Sequence, residues 1–312
     1  MSIAKKVWAY IKLLRPEISD MDLALPAASA LLAAYVVGGG FPDPIRFAVA
    51  VIGGYFAITS SYVFNDWCDV DIDRINLPNR PLPSGLVSKS GAFIYSLLLF
   101  LTAAIIAFYL NPESFIVLVM ATLVITFYSA VAKRRTPFSF IPVGIAYGLV
   151  PIGIWLVFDP AGILTDVNNP SQIGIIPISG LLLGIMICVT DWGFTLSGVS
   201  RDIEGDRLRN VPTTPVKFGI KFTSKLIFVF WIIGVLCSLL IGYFAHLGPI
   251  YFGGALMAGI WMLYQCIDFI NNPTPERGGT LFLQGSRYRS VMFSSLIVDV
   301  VFCALWTQYP FW

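Results

Sequence analysis

The run NDWCDVDIDR, residues 65–74, packs four aspartates into eight residues at the end of a long apolar stretch. If the preceding helix continues through residue 73, Asn65, Asp69 and Asp73 follow at i, i+4 and i+8 and share one narrow face. Asp66 sits beside that face, and Asp71 points away from it towards solvent. Like charges four residues apart destabilise a helix unless something compensates them. A second run, RDIEGDR at 201–207, repeats the spacing with Asp202 and Asp206. Two oxygen-rich faces suit hard divalent cations. Mg2+ takes one or two carboxylates, several waters and the phosphate oxygens of a substrate, so the matching chemistry is departure of a diphosphate. An EF-hand reading from Asp69 fails, because its sixth position is Arg74 instead of Gly and its twelfth is Arg80 instead of Glu. For either run alone, plain solvation of acids at a helix end is the competing explanation. Two runs, each followed by a basic loop, favour a site.

The neighbouring basic residues fit the same chemistry. RINLPNRPLPSG, 74–85, carries Arg74, Arg80 and three prolines, a stiff basic loop beside the acids. YSAVAKRRTP, 128–137, adds Tyr128, Lys133, Arg134 and Arg135. A diphosphate needs side-chain cations as well as metal, although Lys133–Arg135 would also serve as charges that orient the chain in a membrane.

The elements that must position these groups are membrane helices. Of 312 residues, 57% are hydrophobic and only 12% charged, against about 25% charged in soluble domains. Mean hydropathy is +0.78. A soluble helical domain would lack the polar residues to cover its surface. Nine spans of bilayer length are expected near 21–39, 44–66, 90–110, 114–132, 138–158, 174–198, 224–245, 248–270 and 290–308. Pro26, Pro142, Pro151 and Pro177 fall inside them, which membrane helices tolerate. With nine spans, nineteen of the twenty Lys and Arg fall on one side, including Arg277, Arg287 and Arg289 after span 8. The opposite loops hold Arg46 and acids such as Asp43, Asp159 and Asp166. The positive-inside rule then places the N-terminus and both acidic runs in the cytoplasm and the C-terminus outside. The acidic runs end spans 2 and 6, which hints at two similar halves.

Residues 1–18 lack the long apolar core and cleavage site of a signal peptide. Val7, Ile11 and Leu14, with Lys5, Lys6, Lys12 and Arg15, suggest an interfacial amphipathic helix. Cys68, Cys188, Cys237, Cys266 and Cys303 show no metal or disulfide spacing and read as small buried hydrophobes. A net charge of +2 without a basic, aromatic-rich patch gives no sign of nucleic-acid binding. Inside span 6, Asp191 lies eleven residues before Asp202, close to three helical turns on the same face. An intramembrane acid is a functional candidate by default. Asp191 either orients or deprotonates an acceptor, or it bonds a neighbouring helix. Asp268 and Asp299, in spans without an acidic run, read as structural.

NDWCDVDIDRINLPNRPLPSG resembles the first motif of the UbiA superfamily of intramembrane prenyltransferases, NDxxDxxxD followed by a Pro-rich RP loop. RDIEGDRLRNVPTTPVKFG is similar to the second, an aspartate-rich segment running into GD…TxPVxxG. YSAVAKRRTP and LLRPEIS match two further segments, and the four stretches stand in the family's order over residues 13–219. The run INLPNRPLPSG is most similar to the branch of chlorophyll synthases and archaeal digeranylgeranylglyceryl phosphate synthases. The resemblance implies a single all-α membrane domain over 1–312, nine helices in a ring around a cavity, with cytoplasmic cap loops carrying both motifs. It implies that Mg2+, as two ions held by Asn65, Asp69, Asp73, Asp202 and Asp206, binds a polyprenyl diphosphate whose tail leaves through a lateral opening to membrane lipid. A hydrophobic acceptor then takes the prenyl group. Some members carry a further acid three residues before the Asp202 position, where this chain has Val199. Arg80 and Lys133, with Arg15, would hold the diphosphate, and Tyr128 would lie near C1 of the prenyl group unless it is an interfacial aromatic. The competing class is a transporter using intramembrane acids; against it, both acidic runs lie at one face and not at the midplane.

Overall fold

The computed structural model describes residues 2–38, 40–165 and 174–308. Asp166, counted among the outer acids, falls outside them. Fourteen α-helices and one π-helix make up the described regular structure. Among the described residues, nine helices, or continuous runs of them, are long and apolar enough to cross a membrane. They are α2 (Ser19–Gly38), α3 (Pro44–Cys68), α5 (Lys89–Leu110), the run Pro112–Arg135, α8 (Phe140–Phe158), α9 (Ile178–Arg201), α12 (Ile220–Phe244), α13 (Pro249–Asn271) and α14 (Pro275–Gln308). The run Pro112–Arg135 comprises α6 (Pro112–Phe127), a π-helix (Tyr128–Ala132) and α7 (Lys133–Arg135). Short helices α1 (Ile3–Lys12), α4 (Val70–Asn76), α10 (Ile203–Leu208) and α11 (Thr214–Phe218) lie between the spans.

Local chemistry sets the helix starts. Asp43, Ser88 and Asn111 cap α3, α5 and α6 by accepting from the backbone N–H of Arg46, Gly91 and Glu113. Pro44, Pro112 and Pro249 open their helices where no N–H is needed. The expected spans hold to within a few residues, except the last. Helix α14 begins at Pro275, so Arg287 and Arg289, expected in a loop, are helical. Pro177, expected within a span, is the N-cap of α9. The N-terminal helix stops at Lys12, short of the expected residue 18. Its Val7, Trp8 and Ile11 are exposed, while Ala9 and Leu13 pack with Val63, Leu82 and Val87.

Each spanning helix packs on the next in chain order, and α14 packs back on α2, closing a ring. Within it α9 touches α8, α12, α14 and α2. The most apolar stretch of α9 is 61% buried, against 17% for the Pro112–Arg135 run, so α9 lines the interior and α6 faces outward. Leu183, Met186 and Ile187 of α9 share a core with Leu25 and Leu32 of α2 and Met292, Phe293 and Leu296 of α14.

Candidate active site

The first acidic segment is not one continuous helix. Helix α3 ends at Cys68, Asp69 is a joint at φ −100°, ψ 8°, and α4 begins at Val70. The i→i+4 bonding persists across the joint, from Asp69 N to Asn65 O and from Asp73 N to Asp69 O, so the expected spacing survives. The second segment is built alike. Asp202 is a joint at φ −89°, ψ 10° between α9 and α10, with Asp202 N bonded to Gly198 O and Asp206 N to Asp202 O. Asn76, the last residue of α4, clasps the two segments together. Its amide donates to the Asp202 carbonyl at 3.2 Å and accepts from Gly205 N at 3.1 Å. A Cβ on Gly205 would lie 2.2 Å from Asn76 Oδ1, so the clasp needs glycine there.

A cavity opens between the segments. Of the sequence-predicted residues, Asn65, Asp69, Asp73, Asp202, Arg15, Arg80, Lys133, Tyr128 and Asp191 all line it. Asp206 does not. It is buried behind the wall, where Thr213 Oγ1 donates to its Oδ2 at 3.0 Å. Val199 lines the cavity at the position where an acid was weighed.

Basic side chains hold most of the acids. Lys133 Nζ donates to Asp69 Oδ2 at 2.6 Å, and Arg80 to Asp73 at 2.9 Å. Asp66 accepts from both Arg15, at 3.0 Å, and Arg80, at 2.9 Å, and so anchors two predicted diphosphate ligands. Arg201 engages both oxygens of Asp202. Asp71, expected to be merely solvated, forms a two-point pair with Arg134, whose hydrogen bonds hold that carboxyl below its ordinary pKa. Burial pushes the Asp73 carboxyl up to about 6 against the pull of Arg80, and the Asp206 carboxyl up to about 6 against that of Lys133.

Two local distortions aim side chains inward. Arg15 sits at φ 55°, a left-handed conformation costing a non-glycine residue roughly 1–2 kcal/mol. That turn carries the guanidinium to Asp66 and over the Tyr62 ring, 4.5 Å from its centroid. The π-helix at Tyr128–Ala132 is the other. In a 3.6-residue helix, positions five apart diverge by about 140°. The i→i+5 turn stacks them, and Tyr128 and Lys133 both reach the cavity. Ser129, in the same turn, donates to Asn65 Oδ1 at 3.2 Å.

The inner end of the cavity is lined by Met21, Tyr62, Tyr147, Asp191, Phe194, Thr195 and Arg289. Arg289 bonds Asp191, and Tyr62 donates to buried Asp22 at 2.8 Å. Sequence reasoning missed Asn76, Asp22, Arg201 and Arg289. The intramembrane-acid rule that singled out Asp191 applies equally to Asp22. Asp268 and Asp299 are structural as expected: one pairs with Arg277, the other accepts from Gly248 N and Tyr251 N.

Smaller pockets between α3, α5, α6 and α8 share the wall residues Ser61 and Ile125 with the main cavity, one lined by Phe64, Phe93 and Leu97 and the other by Leu118 and Val150.

Among the described residues, no three His, Cys, Asp or Glu side chains form a ready-made metal cluster. The carboxylates stand on opposite sides of a gap, an arrangement for ions that also use substrate oxygens. Asp69 Oδ1 and Asp206 Oδ1 are buried without a hydrogen-bond partner, which a hard divalent cation would supply. The residues present therefore fit Mg2+.

A sequence model of the UbiA prenyltransferase family matches residues 26–297. A digeranylgeranylglyceryl phosphate synthase of Methanosphaera stadtmanae is 30% identical over 268 residues, 86% of this chain and 90% of the relative. A protoheme IX farnesyltransferase of Leifsonia xyli subsp. xyli is 30% identical over 311 residues, 96% of this chain and 94% of the relative. The solved structure of a UbiA homologue from Archaeoglobus fulgidus bound to GPP and Mg2+ superposes with a TM-score of 0.61 at 17% identity, covering 95% of this chain and 99% of that one.

Proposed function

The chain belongs to the UbiA prenyltransferase family, and from that premise we infer that it moves a geranylgeranyl-type group from its diphosphate to a hydroxyl of a glycerophosphate-type lipid, releasing diphosphate. The single observation behind this reading is the one cavity that joins both acidic segments, their basic partners and an aromatic inner end. The acceptor class rests on the Methanosphaera relative, whose name specifies a digeranylgeranylglyceryl phosphate product. On this reading the N-terminus and both acidic segments face the cytoplasm, which the Lys and Arg of the loops on that side support.

Asn65, Asp69 and Asp73 on one side and Asp202 on the other, with the unpartnered Asp206 oxygen behind the wall, would hold Mg2+. Bound there, the metal neutralises diphosphate charge and improves it as a leaving group. Five carboxylates (Asp66, Asp69, Asp73, Asp202 and, behind the wall, Asp206) outnumber four basic side chains (Arg15, Arg80, Lys133, Arg201), so the site is slightly negative by itself. It repels free diphosphate and accepts it with metal. Arg80 and Lys133, with Arg15, then bind phosphate oxygens, and the Tyr128 ring faces the allylic carbon, where an aromatic face stabilises positive charge. Met21, Ile125, Val143 and Phe282 keep water from the developing cation. The prenyl tail follows the side pockets between α3, α5 and α6 to lipid.

The test is purified protein in lipid nanodiscs with labelled geranylgeranyl diphosphate, Mg2+ and a panel of geranylgeranylglyceryl phosphate, aromatic acids, naphthoates and chlorophyllide. Labelled ether lipid from the glycerophosphate acceptor alone, abolished by EDTA, is the expected result. Diphosphate release that persists in EDTA sinks the metal-assisted reading. Transfer to an aromatic acceptor alone moves the chain to another branch.

A further inference from the structure

Arg289 was expected in a loop, yet it lies inside α14, 2% exposed, on the wall of the cavity. Its Nη1 and Nη2 both donate to a single oxygen, Asp191 Oδ1, each at 3.1 Å. Nη2 also donates to Thr190 Oγ1 at 3.0 Å, and the guanidinium stacks 5.2 Å from the Phe194 ring centroid. Asp191 Oδ2 is left with only a long contact from Thr195 Oγ1, at 3.4 Å. A guanidinium that merely ties two helices together does best fork to fork, one N–H on each carboxylate oxygen. Here the fork closes on one oxygen and leaves the other beside the cavity. A buried ion pair is also a poor choice for stability alone, since apolar residues of similar size often serve as well or better.

We propose that Arg289 is the acceptor-positioning residue of this enzyme, acting through Asp191, whose Oδ2 receives the acceptor's hydroxyl. This rests on the prenyl-transfer reading above. Eleven residues at 1.5 Å each set Asp191 about 16 Å inward of Asp202 along α9, enough for a diphosphate and the prenyl C1 to lie between them. The bond from C1 to the diphosphate oxygen breaks, and its electron pair leaves with the diphosphate. The acceptor oxygen bonds to C1, and its proton passes to Asp191 Oδ2. Arg289 touches no substrate. It keeps the carboxylate charged and fixed in orientation while the acceptor arrives.

Three variants test this: Arg289→Gln, Arg289→Lys, and the neutral pair Asp191→Asn with Arg289→Gln, which strands no charge. Each is assayed in nanodiscs for Mg2+-dependent binding of a non-hydrolysable geranylgeranyl thiodiphosphate, and for kcat and KM of each substrate. Donor affinity is expected to stay at the wild-type value in all three. kcat/KM for the acceptor is expected to fall on the order of 100-fold in Arg289→Gln and in the neutral pair, the loss that misplacing a reacting group by about 1 Å produces. Arg289→Lys, which keeps the charge, recovers part of it. Wild-type acceptor kinetics in the folded neutral pair overturn the proposal. So does an equal loss of donor binding, or failure of all three variants to fold, either of which makes the pair a support of the bundle. If the wild-type protein itself transfers to none of the acceptors, the prenyl-transfer reading has failed instead.

Discussion

Asp69 and Asp202 occupy equivalent places, each a one-residue joint between a spanning helix and a short one, each followed by a second aspartate four residues on. Their braces differ. Asp69 is held across the bundle by Lys133, 64 residues away, and both partners are nearly sealed from solvent. Asp202 is held by its own neighbour, Arg201, and both side chains are partly exposed. The first segment is therefore part of how the ring is fastened, while the second is held locally. A ligand that draws Arg201 off Asp202 disturbs one side chain. Drawing Lys133 off Asp69 disturbs a contact between α3 and the Pro112–Arg135 run.

Activity gives the strongest test of this contrast. Asp69→Asn and Asp202→Asn should each lower diphosphate release by on the order of 10²–10³, but only Asp69→Asn, which strands a buried lysine, should also lower the unfolding midpoint in detergent. A matching loss of midpoint in Asp202→Asn would erase the distinction. Next come the cations. Lys133→Met leaves buried Asp69 with only the long 3.9 Å contact of Arg134 and should cost about 3–5 kcal/mol in chemical unfolding, whereas Arg201→Gln, at a partly exposed pair, should cost roughly 0–1 kcal/mol. A smaller loss than that of Lys133→Met is expected where the two segments meet. Asn76→Ala removes two hydrogen bonds and should cost about 1–3 kcal/mol, and Gly205→Ala pushes a methyl group into the same amide. In the double variant the methyl group meets space, so the combined loss should fall short of the sum. Additive losses would mean that the clasp does not couple the segments.

Much of this was legible from sequence because it follows from local rules. Span lengths and the i, i+4 aspartates both depend on neighbours a few positions apart. Contacts between distant residues were not legible. Nothing in the string RINLP or EGD says that Asn76 reaches Gly205. Arg289 was misplaced because GSRYRS, polar and short of an apolar run, looks like a loop until Asp191 is seen opposite it. The π turn at Tyr128–Ala132 has no compositional marker; only Tyr128 and Lys133 reaching the same cavity betray its use.

The Arg289–Asp191 pair also bears on how the protein is made. An arginine in the middle of a spanning helix raises the cost of membrane insertion by about 2.5–3.5 kcal/mol. Helix α14 carries that burden until α9 offers its carboxylate, and Asp191 is synthesised 98 residues before Arg289. The last helix is thus poorly suited to remain in lipid alone and well suited to dock on a partner already waiting. Because α14 is also the helix that meets α2, biogenesis completes the barrel and its inner polar end in the same event.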